Sequence, residues 1–199
     1  MVVAVADEPS GPVDTARWEG DLRSAGATEV HVVVPDDDRP LTPADVAGAA
    51  GVHVAGGLTP RYRRLLVDEA QAGWLPADVP FAGFSAGAAI AAGAAIVGGR
   101  RHEGVEIAPE DAAEDLDELT VGQGLALVPF AIDVHCTQWG TLPRLIQAVR
   151  AGLAPSGWGI DEHTCLEVVD GAPRAVHGPG SAYGVMPVGS GVAVTVRRA

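Results

Sequence analysis

Residues 79–89, VPFAGFSAGAA, constrain the fold more than any other part of the chain. A short apolar stretch leads into Gly83-Phe84-Ser85-Ala86-Gly87 and then into an Ala- and Gly-rich stretch with helical character. This order is typical of a nucleophile elbow, a sharp turn from a strand into a helix that exposes a serine hydroxyl. The glycines remove side chains where strand and helix approach closely. A helix that begins at Ala86 would direct its unpaired N–H groups towards the serine oxygen. Taken alone, the pentapeptide fits an inert Gly/Ser turn equally well.

Strand and helix patterns alternate around this segment. Strands are predicted at residues 2–6, 30–34, 52–55 and 81–84, and helices at residues 14–26, 60–73 and 86–96, with a short helix that begins at Thr42-Pro43. Continuous apolar, β-branched strands are typical of a parallel sheet that is covered on both faces. We therefore expect an α/β chain, a three-layer sandwich with a mostly parallel central sheet, that forms one domain over residues 1–199.

The second half of the sequence departs from this alternation. Residues 99–118 are crowded with acidic side chains, which predicts a solvated loop with an acidic surface helix; a lid over the site is the alternative. A helix is expected near residues 141–152. Further strands are expected near residues 125–128, 132–136, 158–160, 165–169, 174–177 and 192–196. The short strands from residue 158 onwards are expected to pair in antiparallel fashion at the end of the sheet.

The charge balance and the cysteine count restrict the function classes. Thirteen basic and 26 acidic residues give a net charge of −13, and no basic run is longer than that at residues 61–64, so nucleic acid is not an expected partner. Two cysteines favour a reducing compartment. The N-terminus lacks a basic signal-peptide region, and no apolar run is long enough for a bilayer, so we expect a cytoplasmic protein without a membrane partner. No metal-ligand spacing and no nucleotide fingerprint occurs, so neither metal nor cofactor is expected.

A serine hydroxyl needs a general base, and the base needs an acid that orients it. Of six histidines, His135 is the best candidate for the base because it lies at the end of a predicted strand, where ligands bind in open α/β sheets. Asp133, Asp161 and Glu162 are the candidate acids. Asp133 lies two residues before His135 on the same predicted strand, so both side chains are expected on one face. The residues alone leave the choice among these three carboxylates open.

Four blocks of the sequence together resemble the cyanophycinase and dipeptidase E family of serine peptidases, which has a class I glutamine-amidotransferase-like (flavodoxin-like) fold. Their order and approximate spacing agree over residues 2–170. The blocks are Gly56-Gly57, Gly83-Phe84-Ser85-Ala86-Gly87-Ala88, Asp133-Val134-His135 followed by Arg144-Leu145, and Gly157-Trp158-Gly159-Ile160-Asp161-Glu162-His163-Thr164.

The resemblance implies a serine hydrolase that cleaves a small peptide amide through an acyl-enzyme. It implies that Ser85 is the nucleophile, His135 the general base and Glu162 the orienting acid. The backbone N–H groups of Gly57 and Ala86 would then form the oxyanion hole, in which one donor typically contributes about 2.7–4 kcal/mol to the transition state. A small peptide is the implied partner, and a homodimer is compatible with the resemblance.

The sequence departs from the family where substrate is expected to bind. Leu58-Thr59 follows the glycine pair in place of polar residues, and Cys136-Thr137-Gln138-Trp139-Gly140 follows the histidine in place of phenylalanine and arginines. Substrate contacts are therefore expected from Leu58, Thr59, Gln138 and Arg144, with an altered specificity. A catalytically inactive binding domain that keeps the elbow is the main alternative function, and an esterase with the same three side chains is a second.

Overall fold

The computed structural model of the protein describes residues 2–4 and 14–199. Contacts between residues divide the chain into two compact units, Met1–Gly87 and Ala88–Ala199. The single domain expected over residues 1–199 stays a prediction. The predicted strand at residues 2–6 is a strand at Val2–Ala4, and its remaining two residues lie outside the described part of the chain.

The first unit is built around a parallel sheet in the order β2-β1-β3-β4. Its elements are β1 (Val2–Ala4), α1 (Thr15–Ser24), β2 (His31–Val33), a 3₁₀ turn (Pro43–Val46), β3 (Val52–Val54), α2 (Thr59–Arg63) with a following π-helical turn (Arg64–Asp68), and β4 (Phe81–Gly83). These elements confirm the strand–helix alternation expected for this part of the sequence.

Helix α1 packs onto the sheet through residues one helical turn apart. Trp18 and Leu22 contact the fully buried Ala55 together with Val30 and Val32. This spacing places both side chains on one helix face. The carboxylate of Asp14 accepts a hydrogen bond of 3.0 Å from a backbone N–H in the first turn, as its position before the helix predicts.

The second unit, which is described throughout, consists mainly of short strands. Its elements are β5 (Ala94–Gly98), β6 (Arg101–His102), β7 (Val105–Glu106), a 3₁₀ turn (Glu110–Ala112), β8 (Thr120–Gln123), β9 (Ala131–Val134), α4 (Cys136–Trp139), α5 (Leu142–Arg150), β10 (Gly157–Ile160), β11 (Cys165–Val169), β12 (Ala172–His177), β13 (Ala182–Val188) and β14 (Gly191–Arg197). The division between the units falls within one further helix, α3 (Ala86–Ala89).

The main sheet of the second unit has the order β14-β13-β10-β9. Strands β9 and β10 are parallel, whereas β13 and β14 are antiparallel to their neighbours. Leu145, Ala148 and Val149 of α5 are buried against Ala131 of β9 and Val185 of β13, and these side chains form the core of the unit. The apolar face of α5 therefore packs on the sheet that contains β9 and β10.

The expected three-layer sandwich with one mostly parallel central sheet is wrong. Among the described residues, four strand pairs are parallel and five are antiparallel, in two four-stranded sheets and three two-stranded ones. The physical reason lies in the connections. Parallel neighbours need a crossover of a dozen or more residues, and the short links between β11 and β12 and between β13 and β14 allow only antiparallel pairing.

The predicted helix at residues 86–96 is also wrong beyond its first turn. Helix α3 ends at Ala89, and residues 94–98 form β5, which pairs with the distant strand β8. Ile96 and Val97 are buried, and apolar β-branched residues of this kind fit a strand as well as a helix. The strand expected at residues 125–128 does not form in this described segment, which makes a bridge between Val128 and Ala92 instead.

The acidic stretch folds into a hairpin, β6–β7, and one 3₁₀ turn, and the acidic surface helix expected over these described residues does not form. Arg100 and Asp117 pair across its base at 2.9 Å, while Ile107 and Ala112 are buried. Over residues 2–4 and 14–199, no helix combines the length and the apolar character that crossing a membrane would require.

Candidate functional site

Ser85 lies in the sharp turn between β4 and α3. The backbone N–H of Phe84 donates to the carbonyl of Val54 at 2.9 Å, which extends the pairing of β4 with β3 by one residue. Ser85 then adopts a left-handed conformation with φ of +52°, and α3 begins at the next residue. Non-glycine residues adopt this conformation at a cost, which is a recurrent feature of functional sites. The local geometry is that of the predicted elbow.

The glycines of the elbow and of the neighbouring loop permit close backbone contacts. A Cβ atom on Gly87 would lie 2.3 Å from the carbonyl oxygen of Val54, and one on Gly56 would lie 3.0 Å from the Cβ of Ser85. The loop that carries Gly56 and Gly57 therefore passes beside the serine. Tyr62 fixes this loop, since its hydroxyl donates to the carbonyl of Gly56 at 2.7 Å.

The other expected site residues of the first unit lie along the same loop. A Cβ atom on Gly57 would lie 2.5 Å from the ring of Tyr62. Leu58 is half-buried and its carbonyl accepts the N–H of Tyr62 at 3.0 Å, while Thr59 is buried in the first turn of α2. Ala86 is buried directly after the serine.

His135 and Glu162 come together at one edge of the second unit. Strands β9 and β10 run in parallel with Val134 opposite Ile160, so the residues that follow both strands lie at the same sheet edge. Nδ1 of His135 lies 3.3 Å from Oε1 of Glu162. This separation is slightly longer than that of a typical N–H···O hydrogen bond.

The other two candidate carboxylates are engaged elsewhere. Asp133 is buried and receives two hydrogen bonds from the guanidinium of Arg144. Asp161 accepts hydrogen bonds from the backbone N–H groups of Thr137 and Ser181 at 2.9 and 3.0 Å. Burial raises the pKa of Asp161, but these bonds outweigh burial and hold the pKa below its usual value. Of the three carboxylates, Glu162 is the one that contacts the imidazole.

Arg144, expected to bind substrate, has a structural role here. Its guanidinium is 5% exposed and also donates to the carbonyl of Ala112, so it ties α5 to the end of the 3₁₀ turn that follows the hairpin. A pairing of Asp133 with Arg144 cannot be derived from the sequence, since it depends on how α5 packs against β9.

The side chains of Asp133 and His135 do not lie on one face of a strand, contrary to expectation. Strand β9 ends at Val134, and His135 is left-handed with φ of +56° and ψ of +34°, which interrupts the alternation of side chains. Cys136 consequently begins α4 and is buried with its thiol near Thr141. Burial raises the pKa of Cys136 to about 12, so this thiol is not a nucleophile at neutral pH.

Helix α4 supplies two contacts that the sequence does not predict. The indole of Trp139 stacks on the imidazole of His135, with ring centroids 4.3 Å apart and planes 22° apart. The side-chain oxygen of Gln138 accepts the backbone N–H of Glu162 at 2.9 Å. The spacing of His135 and Trp139, four residues, is the available signal, because such residues meet on one face of a helical turn.

Burial lowers the pKa of His135 below the ordinary value for an imidazole, and the negative charges of Glu162 and Asp133 oppose this effect. The ring is therefore neutral at neutral pH. With Nδ1 directed at Glu162, Nε2 is the nitrogen suited to exchange a proton with a substrate or a hydroxyl. The assignment of the ring nitrogens follows from the contact between Nδ1 and the carboxylate.

A cleft of about 610 Å³ opens beside α4. Its lining consists of Pro109, Asp111, Ala112, Gln138, Trp139 and Gly140. Trp139 therefore borders both this cleft and the imidazole of His135. In the part of the chain that the structure describes, no cluster of three or more His, Cys, Asp or Glu side chains could hold a metal ion.

The expected triad is divided between the two units, with Ser85 in the first and His135 and Glu162 in the second. The first unit contains a serine with positive φ in a strand-to-helix turn, and the second contains an imidazole against a carboxylate. No model of a known protein family matches the sequence, and the search of curated proteins found no match.

Proposed function

We propose that the protein is a serine-type peptidase or amidase, of the cyanophycinase and dipeptidase E type, that hydrolyses a small peptide amide. The contact of His135 with Glu162 carries the proposal, because it pairs a neutral imidazole with a carboxylate at its Nδ1. This is the pairing that a general base requires. The conformation of Ser85, φ +52° at a strand-to-helix turn, supports its assignment as nucleophile.

The proposed reaction proceeds through an acyl-enzyme. The hydroxyl oxygen of Ser85 attacks the amide carbon while Nε2 of His135 takes its proton. The same nitrogen then protonates the leaving amine as the carbon–nitrogen bond breaks. Water repeats the sequence and releases the acid. In this proposal the backbone N–H groups of Gly57 and Ala86 stabilise the oxyanion.

The assignment of Ser85 and His135 to one reaction rests on the sequence resemblance, and its test is chemical. A fluorophosphonate reagent should label Ser85, as peptide mapping by mass spectrometry would determine. Labelling should be lost in Ser85→Ala and slowed in His135→Gln, whereas His177→Gln, a histidine that pairs with Glu167 on β11, should label normally. A peptide library should be cleaved by the wild type and not by Ser85→Ala. Labelling unaffected by His135→Gln would contradict the shared mechanism.

A catalytically inactive binding domain is the second candidate. The burial of Arg144 against Asp133 favours it, because one of the expected substrate contacts is engaged within the protein. A fold that binds peptide without turnover would show saturable binding, no cleavage and no labelling of Ser85.

We further propose a cytoplasmic location and a small peptide partner, with no role for nucleic acid or membrane. Two free cysteines and a net charge of −13 support this proposal. Fractionation of cells that express the tagged protein tests the location, and recovery in a membrane or secreted fraction would contradict it.

A further inference from the structure

The imidazole of His135 is contacted on its edge and on its face. At the edge, Glu162 lies 3.3 Å from Nδ1. On the face, the indole of Trp139 is nearly parallel to the imidazole at a centroid distance of 4.3 Å. A single carboxylate contact fixes one nitrogen but allows the ring to tilt about that contact. A stacked aromatic ring restricts the tilt, so the two contacts together define the plane of the imidazole.

The position of the indole is set by the backbone of α4. The N–H of Trp139 donates to the carbonyl of His135 at 2.7 Å, which closes the turn. The N–H of Thr137 donates to the carboxylate of Asp161 at 2.9 Å, and the hydroxyl of Thr141 donates to the carbonyl of Val134 at 2.6 Å. The turn is therefore anchored at its start and just beyond its end, and Trp139 is held over the ring.

We propose that Trp139 is a positioning residue for His135, which holds the imidazole plane against Glu162 and stabilises the protonated ring through its π face. This inference rests on the proposed function, in which His135 gains and loses a proton in each half-reaction. An aromatic face attracts a cation by about 0.5–1 kcal/mol at partly exposed sites, which corresponds to a two- to fivefold change in a binding constant. Trp139 is 45% exposed and therefore belongs to this class.

The charged groups that face His135 come from three other elements. Glu162 follows β10, Asp133 lies on β9 and Arg144 lies on α5. Arg144 hydrogen-bonds to Asp133 and to the carbonyl of Ala112, so a substitution of Trp139 by a side chain of similar apolar character should leave this ion pair in place. Leucine keeps the ring shielded from water and removes the π face, whereas phenylalanine keeps both.

The test is an NMR titration of the histidine ring protons in the full chain, for the wild type, Trp139→Leu and Trp139→Phe, with His135→Gln to assign the signal. We expect the proton affinity of His135 to fall about two- to fivefold in Trp139→Leu and to stay near the wild-type value in Trp139→Phe. His177, which contacts Glu167 on β11, serves as an internal control, and its signals should be the same in the wild type and in the Trp139 variants. In kinetic assays, Trp139→Leu should lower kcat, and Trp139→Phe should restore most of the loss.

Equal titration of His135 in the wild type and Trp139→Leu would overturn the inference, as would equal shifts in the leucine and phenylalanine variants. If Trp139→Leu loses the dispersed spectrum of a folded protein, Trp139→Met replaces it under the same criteria. The titration does not need activity. If the wild type shows no hydrolase activity but Trp139→Leu lowers the proton affinity of His135 as expected, the proposed function is refuted and the role of the Trp139–His135 contact stands. If the wild type is active but the proton affinity of His135 does not change in Trp139→Leu, only the role of Trp139 is refuted.

Discussion

Arg144 binds both carboxylate oxygens of Asp133, with Nε 2.9 Å from Oδ2 and Nη2 2.8 Å from Oδ1, and both side chains are almost completely buried. This pair removes Asp133 from competition for His135 and leaves that contact to Glu162. It also joins α5 to β9, the strand that leads to His135. The position of the imidazole therefore depends on this buried ion pair as well as on Glu162.

Arg144→Met should destabilise the protein strongly because it leaves Asp133 buried without its partner. Loss of one member of a buried pair costs about 3–5 kcal/mol, measurable as the change in the free energy of unfolding in urea. The double variant Asp133→Asn/Arg144→Met should recover part of this loss, since the buried charge is then absent. Arg150→Met, at the exposed end of the same helix, is the control and should change stability little. A double variant less stable than Arg144→Met would contradict this account.

Gly87→Ala should destabilise the first unit and abolish any activity that depends on the elbow. The added Cβ would lie 2.3 Å from the carbonyl oxygen of Val54, so the backbone must move. Overpacking of this kind typically costs about 1–3 kcal/mol. Gly20→Ala in α1 is the matched control, since a Cβ there has open space and alanine favours a helix by about 0.5–1 kcal/mol. We expect a lower Tm for Gly87→Ala and a higher Tm for Gly20→Ala than for the wild type. Thermal unfolding followed by circular dichroism measures both.

Glu162→Gln should move the acid limb of the pH–rate profile to lower pH and lower its plateau. The negative charge of Glu162 raises the pKa of His135 against the effect of burial, so its removal lowers that pKa further. A general base is active when deprotonated, and kcat/KM therefore rises with pH through this pKa. The wild-type limb should lie below pH ~6.5, the ordinary value for histidine.

Glu167→Gln provides the control for this profile, because Glu167 contacts a different histidine, His177. Its acid limb should coincide with that of the wild type. A limb that moves to higher pH in Glu162→Gln would contradict the assignment of Glu162 as the partner of His135.

The two cysteines should differ sharply in reactivity. Burial raises the pKa of both thiols, to about 12 for Cys136, but Cys165 is exposed on β11, where a reagent can reach it. A chromogenic disulfide reagent at neutral pH should therefore titrate one thiol in the native protein and two after unfolding. Cys165→Ser should eliminate the native reaction, and Cys136→Ser should leave it intact. Two reactive thiols in the native protein would contradict the close packing around Cys136 at the end of β9.

The sequence predicts β2, β3, β4 and the elbow well because their apolar runs are short and bounded by turn residues. It fails at residues 86–96, since an Ala- and Gly-rich run has no periodicity that separates a helix from a buried strand. Strand β5 is stabilised by pairing with β8, more than twenty residues later, and local propensity contains no information about that partner.

The candidate site is likewise predicted only in part from the sequence. The place of His135 at a strand end identifies it as a candidate, and the resemblance identifies Glu162. The residues alone cannot choose among the three carboxylates, because the choice depends on Arg144, Thr137 and Ser181 occupying the other two. The stack of Trp139 on His135 could not be predicted, because the predicted strand continues through Cys136. In an extended strand, the side chains of residues i and i+4 are too far apart to make contact.

The single turn of α4 has a consequence for how this loop can vary in length. Each residue added to a helical turn rotates the next part of the chain by about 100°. An insertion or deletion between His135 and Trp139 would carry the indole away from the imidazole even if every side chain were retained. The number of residues between His135 and Trp139 therefore matters in addition to the identity of the indole, and loop grafts at this position should preserve the four-residue interval.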